Sequence, residues 1–297
     1  MPLKNKVKKL YLKLPFKKKL FQYIRDHIGT PGASIYQHLY FQGYFEVKLN
    51  ADSQFRLMHY GYLVENEIFW KGIYGGWEKE SLKIWETLSK NASVIVDIGA
   101  NTGIYSLIAK SINPEASVYA FEPISRVYDK LVENIKLNNY DIVPYRVAVS
   151  NYKGKATIYD VPHEHQYSAT LNLRTHTALT NTVAVEVETV TLSDFVESNN
   201  ISAVDLMKID VERHETEVLQ GFLPHLYQLK PTILIEVIDD TIADYINRIF
   251  SGTDYLFFCI NEKSGITQEK QTNYKGSADA MNYLLCTKTT AKLLKLI

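Results

Sequence analysis

A short β-branched run, Val94-Ile95-Val96, ends in Asp97-Ile98-Gly99-Ala100-Asn101-Thr102-Gly103. It opens at once into a segment with Ile104, Leu107, Ile108 and Ile112 at helical spacing. This order is that of a buried strand, a glycine turn and a helix start. The turn lets a ligand approach bare backbone, and the helix start offers unpaired N–H groups. Glu122 follows Gly103 by 19 residues, at the end of Ala120-Phe121-Glu122-Pro123. An acid at that offset, on the tip of the second strand, is where a nucleoside-binding α/β sheet grips ribose hydroxyls.

The rhythm of the chain agrees. From about residue 92 apolar strands alternate with amphipathic helices. Strands are expected at 94–98, 117–121, 142–149, 205–211, 231–237, 255–260 and 282–287. Helices are expected at 102–112, 125–138, 192–199, 215–222 and 241–250. Such alternation predicts a mostly parallel sheet with helices on both faces. The last two strands lack a helix between them and read as an antiparallel edge hairpin. Two further strands, 156–159 and 182–191, interrupt the pattern. A polar loop at 162–181, carrying His163 and His165, lies between them and is placed as a substrate lid. Residues 1–90 read as an N-terminal extension covering the cofactor site: a basic tail, strands at 41–49 and 55–64, and a helix at 77–90. Residues 91–297 form the cofactor-binding domain.

Composition narrows the partners. With 297 residues and a hydrophobic fraction of 46%, the chain has ample core for one or two domains. A net charge of +0 counts against a dedicated nucleic-acid binder, so no nucleic-acid partner is expected. Cys259 and Cys286 sit in apolar runs and read as buried small residues, as in a reducing cytoplasm. No spacing of cysteine and histidine resembles a metal site, and no metal is expected. No apolar stretch reaches the roughly 20 residues that span a bilayer, and the N-terminus lacks a signal-peptide core. It holds instead Lys4, Lys6, Lys8, Lys9, Lys13, Lys17, Lys18 and Lys19 among Leu3, Val7, Leu10, Leu14 and Phe16. This stretch, interrupted by Pro15, reads first as a solvated terminal helix or tail. Its second reading is a weak peripheral contact with an anionic membrane surface. A cytoplasmic protein, at most peripheral at the inner membrane, is expected.

Five segments in order resemble one family, the FkbM-type S-adenosylmethionine-dependent methyltransferases. They are Asp97 to Gly103, Ala120 to Pro123, Val147 to Ser150, Lys208-Ile209-Asp210-Val211-Glu212, and Pro231 to Val237. The resemblance covers roughly residues 70 to 287. It implies an α/β class I methyltransferase, Rossmann-like, with a seven-stranded sheet whose last strand is inserted antiparallel. It implies S-adenosyl-L-methionine as cofactor and transfer to hydroxyl groups of sugars, glycans, polyketides or other small metabolites. One departure stands out: the family has glycine after the fourth-strand glutamate, where this chain has Arg213.

The residues divide the chemistry. Glu122 accepts both ribose hydroxyls. Asp97 receives the cofactor's ammonium or braces the turn. Gly99 and Gly103 serve backbone geometry, and Asn101 contacts ligand or bonds its own backbone. Ala148 and Ser150 neighbour adenine. An alcohol is a poor nucleophile and gains from a base near its oxygen. Asp210, Glu212, His214 and Glu236 are the candidates, at the carboxyl ends of the fourth and fifth strands. Asp210 and Glu236 are placed to share a proton. Arg213 supplies a fork for an anionic acceptor or is a surface residue. His163 and His165 are substrate candidates from the lid. The alternative activity is a cofactor-binding regulator or scaffold without catalysis. A nicotinamide dehydrogenase is disfavoured because the turn reads Gly-x-Asn-x-Gly.

Overall fold

The computed structural model describes residues 16–160, 169–170 and 183–297. The chain divides into two compact units between Lys79 and Glu80.

The smaller unit contains helices Lys17–His27, Ala33–Tyr36 and Leu63–Lys71 and a hairpin of β1 (Gly43–Lys48) and β2 (Gln54–His59). Burial alternates along both strands. Phe45 and Val47 face inward with Phe55, Leu57 and His59, while Tyr44, Glu46 and Lys48 face water. The expected strand at 55–64 stops at His59. Gly61 turns the chain at φ 90°, and Ile68, Phe69 and Trp70 then pack from a helix. His59 is buried among Phe41, Phe45 and Phe69. Its Nδ1 accepts from the Gly61 N–H at 3.0 Å, which leaves Nε2 to donate to Asn66 Oδ1 at 3.2 Å. Burial lowers its pKa to about 4, so it is a neutral structural group at pH 7.

The larger unit begins with helix Lys79–Ser89. From sequence this helix is expected in the N-terminal extension. It belongs here because Trp85 is buried and donates to the Tyr105 carbonyl at 2.9 Å, while Ser81 bonds Glu262. The strands that follow are β3 (Val94–Ile98), β4 (Ser117–Phe121), β5 (Ile142–Tyr145), β6 (Ala148–Val149), β7 (Gly154–Asp160), β8 (Ala169–Thr170) and β9 (Val183–Val190). Then come β10 (Leu206–Ile209), β11 (Thr232–Glu236), β12 (Tyr255–Asn261), β13 (Gly265–Glu269) and β14 (Asn282–Thr287).

Eight strands form the main sheet, in the order β13-β12-β14-β11-β10-β3-β4-β5. The run from β11 to β5 is parallel, and β14 enters antiparallel between β11 and β12. Seven of the strands are those expected, and β13 is an addition. The edge hairpin is therefore β12–β13, not the two last-named strands. Gly265, at φ 92°, makes the tight return that pairs them.

Side-chain alternation explains the layering. Val96, Ile98, Met207, Ile209, Ile233 and Ile235 share one sheet face, against Leu192, Phe195, Val218, Leu219, Leu226 and Ile246 of the helices there. Asp97 and Lys208 project from the other face, toward Tyr105 and Ser106 of helix Ile104–Ile112. Helices thus cover both faces, as the alternation predicts.

The expected strand at 142–149 is two strands. A bend at Val147 parts β5 from β6, and β6 joins a second sheet of order β6-β9-β7-β8. Ala148, Ile158 and Val187 of that sheet pack on Ile124 and Val127. Helices Leu223–Leu229 and Lys288–Leu293 are further additions to the sequence reading. No described helix is long and apolar enough to cross a membrane.

Candidate functional site

The carboxyl ends of β11, β10, β3 and β4 lie side by side on one sheet edge. This is where open parallel sheets bind ligands. Two clusters of predicted residues meet there.

The first is the glycine turn with Glu122. The N–H groups of Gly99 and Ala100 both donate to the Phe121 carbonyl, at 3.0 and 2.9 Å. Gly99 has φ 79°, and a Cβ there would lie 1.8 Å from the Asp210 carbonyl oxygen. Only glycine fits, on both counts. Gly103 has φ 92° and begins the helix. Asn101 sits at φ 53°, a left-handed position that asparagine tolerates. Its Oδ1 is buried with no partner among the described residues. The expected bond from Asn101 to its own backbone is therefore not how it forms the turn; its backbone conformation does that.

Glu122 closes this cluster. One carboxylate oxygen accepts from the Asn101 N–H at 3.2 Å, the other from the Ile124 N–H at 2.9 Å. Burial raises its pKa to about 7, opposed by those two N–H groups and by Arg126. Asp97 is fully buried, with Oδ2 accepting from the Ser106 N–H at 3.1 Å and hydroxyl at 2.6 Å. Burial raises its pKa, and the Lys208 charge works against that rise. Its Oδ1 has no partner among the described residues.

The second cluster is the loop after β10. Lys208 is buried in an otherwise apolar strand, in register with Asp97, and its ammonium lies 4.6 Å from the centre of the Tyr105 ring. It pairs with Asp210 Oδ2 at 2.7 Å. Asp210 thus has a cation as its near partner. Glu236 ends the adjacent strand, half-buried, one step beyond the Ile209–Ile235 register pair.

Glu212 and Arg213 have φ 54° and 76°. The family's glycine would adopt that conformation freely; arginine adopts it under strain. Glu215 holds it. Its Oε1 accepts from the N–H groups of Val211 at 3.1 Å and Arg213 at 3.3 Å. Glu215 is fully buried, and burial raises its pKa to about 8, with the Asp210 charge adding to the rise. Arg213 Nη1 meets Asp239 Oδ2 at 2.8 Å, and the other Asp239 oxygen caps helix Asp240–Ile249 through the Ile242 N–H at 3.0 Å. The arginine so joins the loops that follow β10 and β11.

His214 is joined to Ser150, with Nε2 and the hydroxyl 3.0 Å apart, and its Nδ1 lies 3.5 Å from Glu217. Burial lowers its pKa, and Glu217 opposes this. Ser150 is fully buried, and Ala148 belongs to the small apolar cluster beside helix Ser125–Asn138. His163 and His165 lie outside the described residues. Among the described residues no group of three or more histidine, cysteine or acidic side chains could hold a metal ion.

Sequence reasoning missed Lys208, Glu215 and Asp239. Each had a signal: a lysine inside a four-residue apolar strand needs buried partners, and acids at a helix start serve as caps.

The Methyltransferase FkbM domain matches residues 97–256, from the first residue of the turn through both clusters. The chain belongs to the FkbM methyltransferase family. Its relatives include the hexuronic acid methyltransferase AglP of Haloferax volcanii, 26% identical over 54% of this chain and 62% of that protein. They also include Methyltransferase 1 of Beauveria bassiana, 30% identical over 50% of this chain and 65% of its own length. The 31-O-demethyl-FK506 methyltransferase FkbM of Streptomyces tacrolimicus is 31% identical over 43% of this chain and 58% of its own length. The chain thus spans under two-thirds of these relatives. A solved FkbM methyltransferase from Methylobacillus flagellatus is 15% identical, covers 65% of this chain and 43% of its own, and superposes with a TM-score of 0.43.

The family's cofactor is S-adenosylmethionine, and the residues of this FkbM domain fit it. Glu122 sets a buried carboxylate against the glycine turn, and Asp97 Oδ1 and Asn101 Oδ1 are buried acceptors without partners among the described residues.

Proposed function

We propose that this FkbM-family chain is an S-adenosylmethionine-dependent O-methyltransferase acting on a hydroxyl of a sugar, glycan or other small metabolite. The observation that carries the reading is the buried Glu122 carboxylate held at the glycine turn by the Asn101 N–H. An ionised carboxylate there accepts two vicinal ribose hydroxyls. Asp97 and Asn101 offer acceptors for the amino-acid end. The named relatives support an oxygen acceptor: one is a hexuronic acid methyltransferase, another a 31-O-demethyl-FK506 methyltransferase.

S-adenosylmethionine supplies, when bound, a methyl carbon made electrophilic by its sulfonium. The acceptor hydroxyl would give its proton to a base held by this chain. Alignment provides much of the rate. Asp210, aimed by Lys208, and Glu236, level with it on the next strand, orient the hydroxyl and take its proton. Glu212, two residues past Asp210 in the same loop, is a further carboxylate there. His214, engaged with Ser150 and Glu217, serves as a brace rather than the base.

One feature favours a second reading, a binder without turnover: Arg213 occupies the family's glycine position and ties two loops together.

Calorimetry on wild type and Glu122→Gln tests the cofactor site that both readings share, and turnover separates them. Wild type binds S-adenosylmethionine, and the variant binds at least about tenfold more weakly. Wild-type affinity falls as pH drops below about 7, because the carboxylate must be ionised to accept both hydroxyls. A panel of uronic sugars and polyketide alcohols then yields S-adenosylhomocysteine. Binding with no product on any acceptor supports the second reading, and no binding at all refutes both.

A further inference from the structure

Helix Lys17–His27 of the smaller unit wears its polarity inside out. Its docked face is Lys17, Phe21 and Arg25, at a spacing of four. Lys17 Nζ donates to the Tyr40 carbonyl at 3.2 Å, Phe21 packs on Trp70 with ring centres 5.8 Å apart, and Arg25 Nη1 donates to the Phe69 carbonyl at 3.1 Å. Two of the three inward residues are cations.

The outward face carries an apolar stripe. Phe16 is 75% exposed, Leu20 54% and Tyr23 57%, and Ile28, just past the helix, is 74% exposed. Steps of four and three put Phe16, Leu20 and Tyr23 in one stripe. Burying such side chains in an apolar phase is worth far more than leaving them in water. The sequence leading into the stripe carries charge of one sign. Residues 1–20 contain eight lysines and no acidic residue, and Asp26 is the only acid of the helix.

We propose that this stripe docks on an anionic lipid surface, with Phe16, Leu20 and Tyr23 entering the acyl boundary and the outward lysines, Lys19 among them, meeting the headgroups. A bilayer fits better than a second copy of the chain. An isologous contact through the stripe sets lysines against the same lysines, and like charges face to face oppose it. An anionic surface neutralises them, and each lysine near it adds to the attraction. No described helix can cross a membrane, so the contact is interfacial.

The test is flotation of the full chain with vesicles. Phosphatidylcholine vesicles containing phosphatidylglycerol carry the protein upward, pure phosphatidylcholine vesicles carry at least about tenfold less, and raised salt weakens the binding. The triple variant Phe16→Ser/Leu20→Ser/Tyr23→Ser loses at least about tenfold in vesicle binding. It keeps the wild-type melting temperature and S-adenosylmethionine affinity, which separates this result from a folding or cofactor defect. Wild-type protein that stays unbound with anionic vesicles overturns the proposal. So does a triple variant that floats as wild type, or light scattering that shows a dimer which the triple substitution dissolves.

Discussion

The two loops at the sheet's carboxyl edge solve one backbone problem in opposite ways. Between Asp97 and Gly103 the left-handed positions fall to Gly99, Asn101 and Gly103, residues that adopt them at little cost. Between Asp210 and Glu215 they fall to Glu212 and Arg213, which do not. The first turn is stable by composition. The second is held by a buried acid on its N–H groups and by an ion pair to the next loop. The first turn needs its glycines because a Cβ at Gly99 would strike the Asp210 carbonyl and one at Gly103 the Leu131 side chain. A turn that carries side chains to the substrate end needs supports for its strain.

The largest effect should come from breaking the first loop. In Gly99→Ala the new Cβ meets the Asp210 carbonyl oxygen and the residue is forced to hold φ 79°. A loss of about 4 kcal/mol is expected from conformation and overpacking together, read by denaturant unfolding. Near wild-type stability would show that the two loops do not abut.

The support of the second loop is tested next. Glu215 has a pKa of about 8 when folded, above its ordinary value of 4.5. Between those values the folded carboxyl keeps a proton that the unfolded one has released. Stability contributed by this group is therefore present below about pH 4.5 and lost as pH rises toward 8. Glu215→Gln keeps an acceptor for Val211 and Arg213 without titrating. It should match wild type at pH 5 and exceed it by about 2 kcal/mol at pH 9. Parallel curves for the two proteins would remove the buried charge from the account.

Arg213→Gly is the mildest change. Relief of strain is offset by the lost pair with Asp239 and by a more flexible unfolded chain, so stability should stay within about 1 kcal/mol. The set of acceptors methylated should change, read as S-adenosylhomocysteine release across the panel. An unchanged profile would leave Arg213 as a clasp between loops and nothing more.

Much of this molecule is legible in its sequence, and the failures share a cause. Val94 to Gly103 and Ala120 to Glu122 declare themselves because local rules fix them: a β-branched run, turn glycines and a helical period. What depends on distant partners is hidden. The break at Val147 exists because Ala148 and Val149 pair with Thr189 and Val190 in another sheet. Strand β13 is half-exposed and weakly patterned, and it forms because β12 offers an edge. The pairing of Asp210 with Lys208 spans two residues on one strand, yet its meaning needs Asp97 and Tyr105 from elsewhere. His214 reads as a base from its intrinsic pKa, but its tie to Ser150 appears only once residues 64 apart in the chain are brought together.

Strand β14 sits between β11 and β12, so the hairpin of β12 and β13 reaches the parallel strands only through it. In chain order β14 comes after every other strand of this sheet. Until Asn282–Thr287 is threaded into its slot, β11 and β12 each show a bare edge, ready to accept any passing strand. Assembly is thus sealed by a keystone delivered late, and trimming even that short piece would leave a finished half beside an orphaned ribbon.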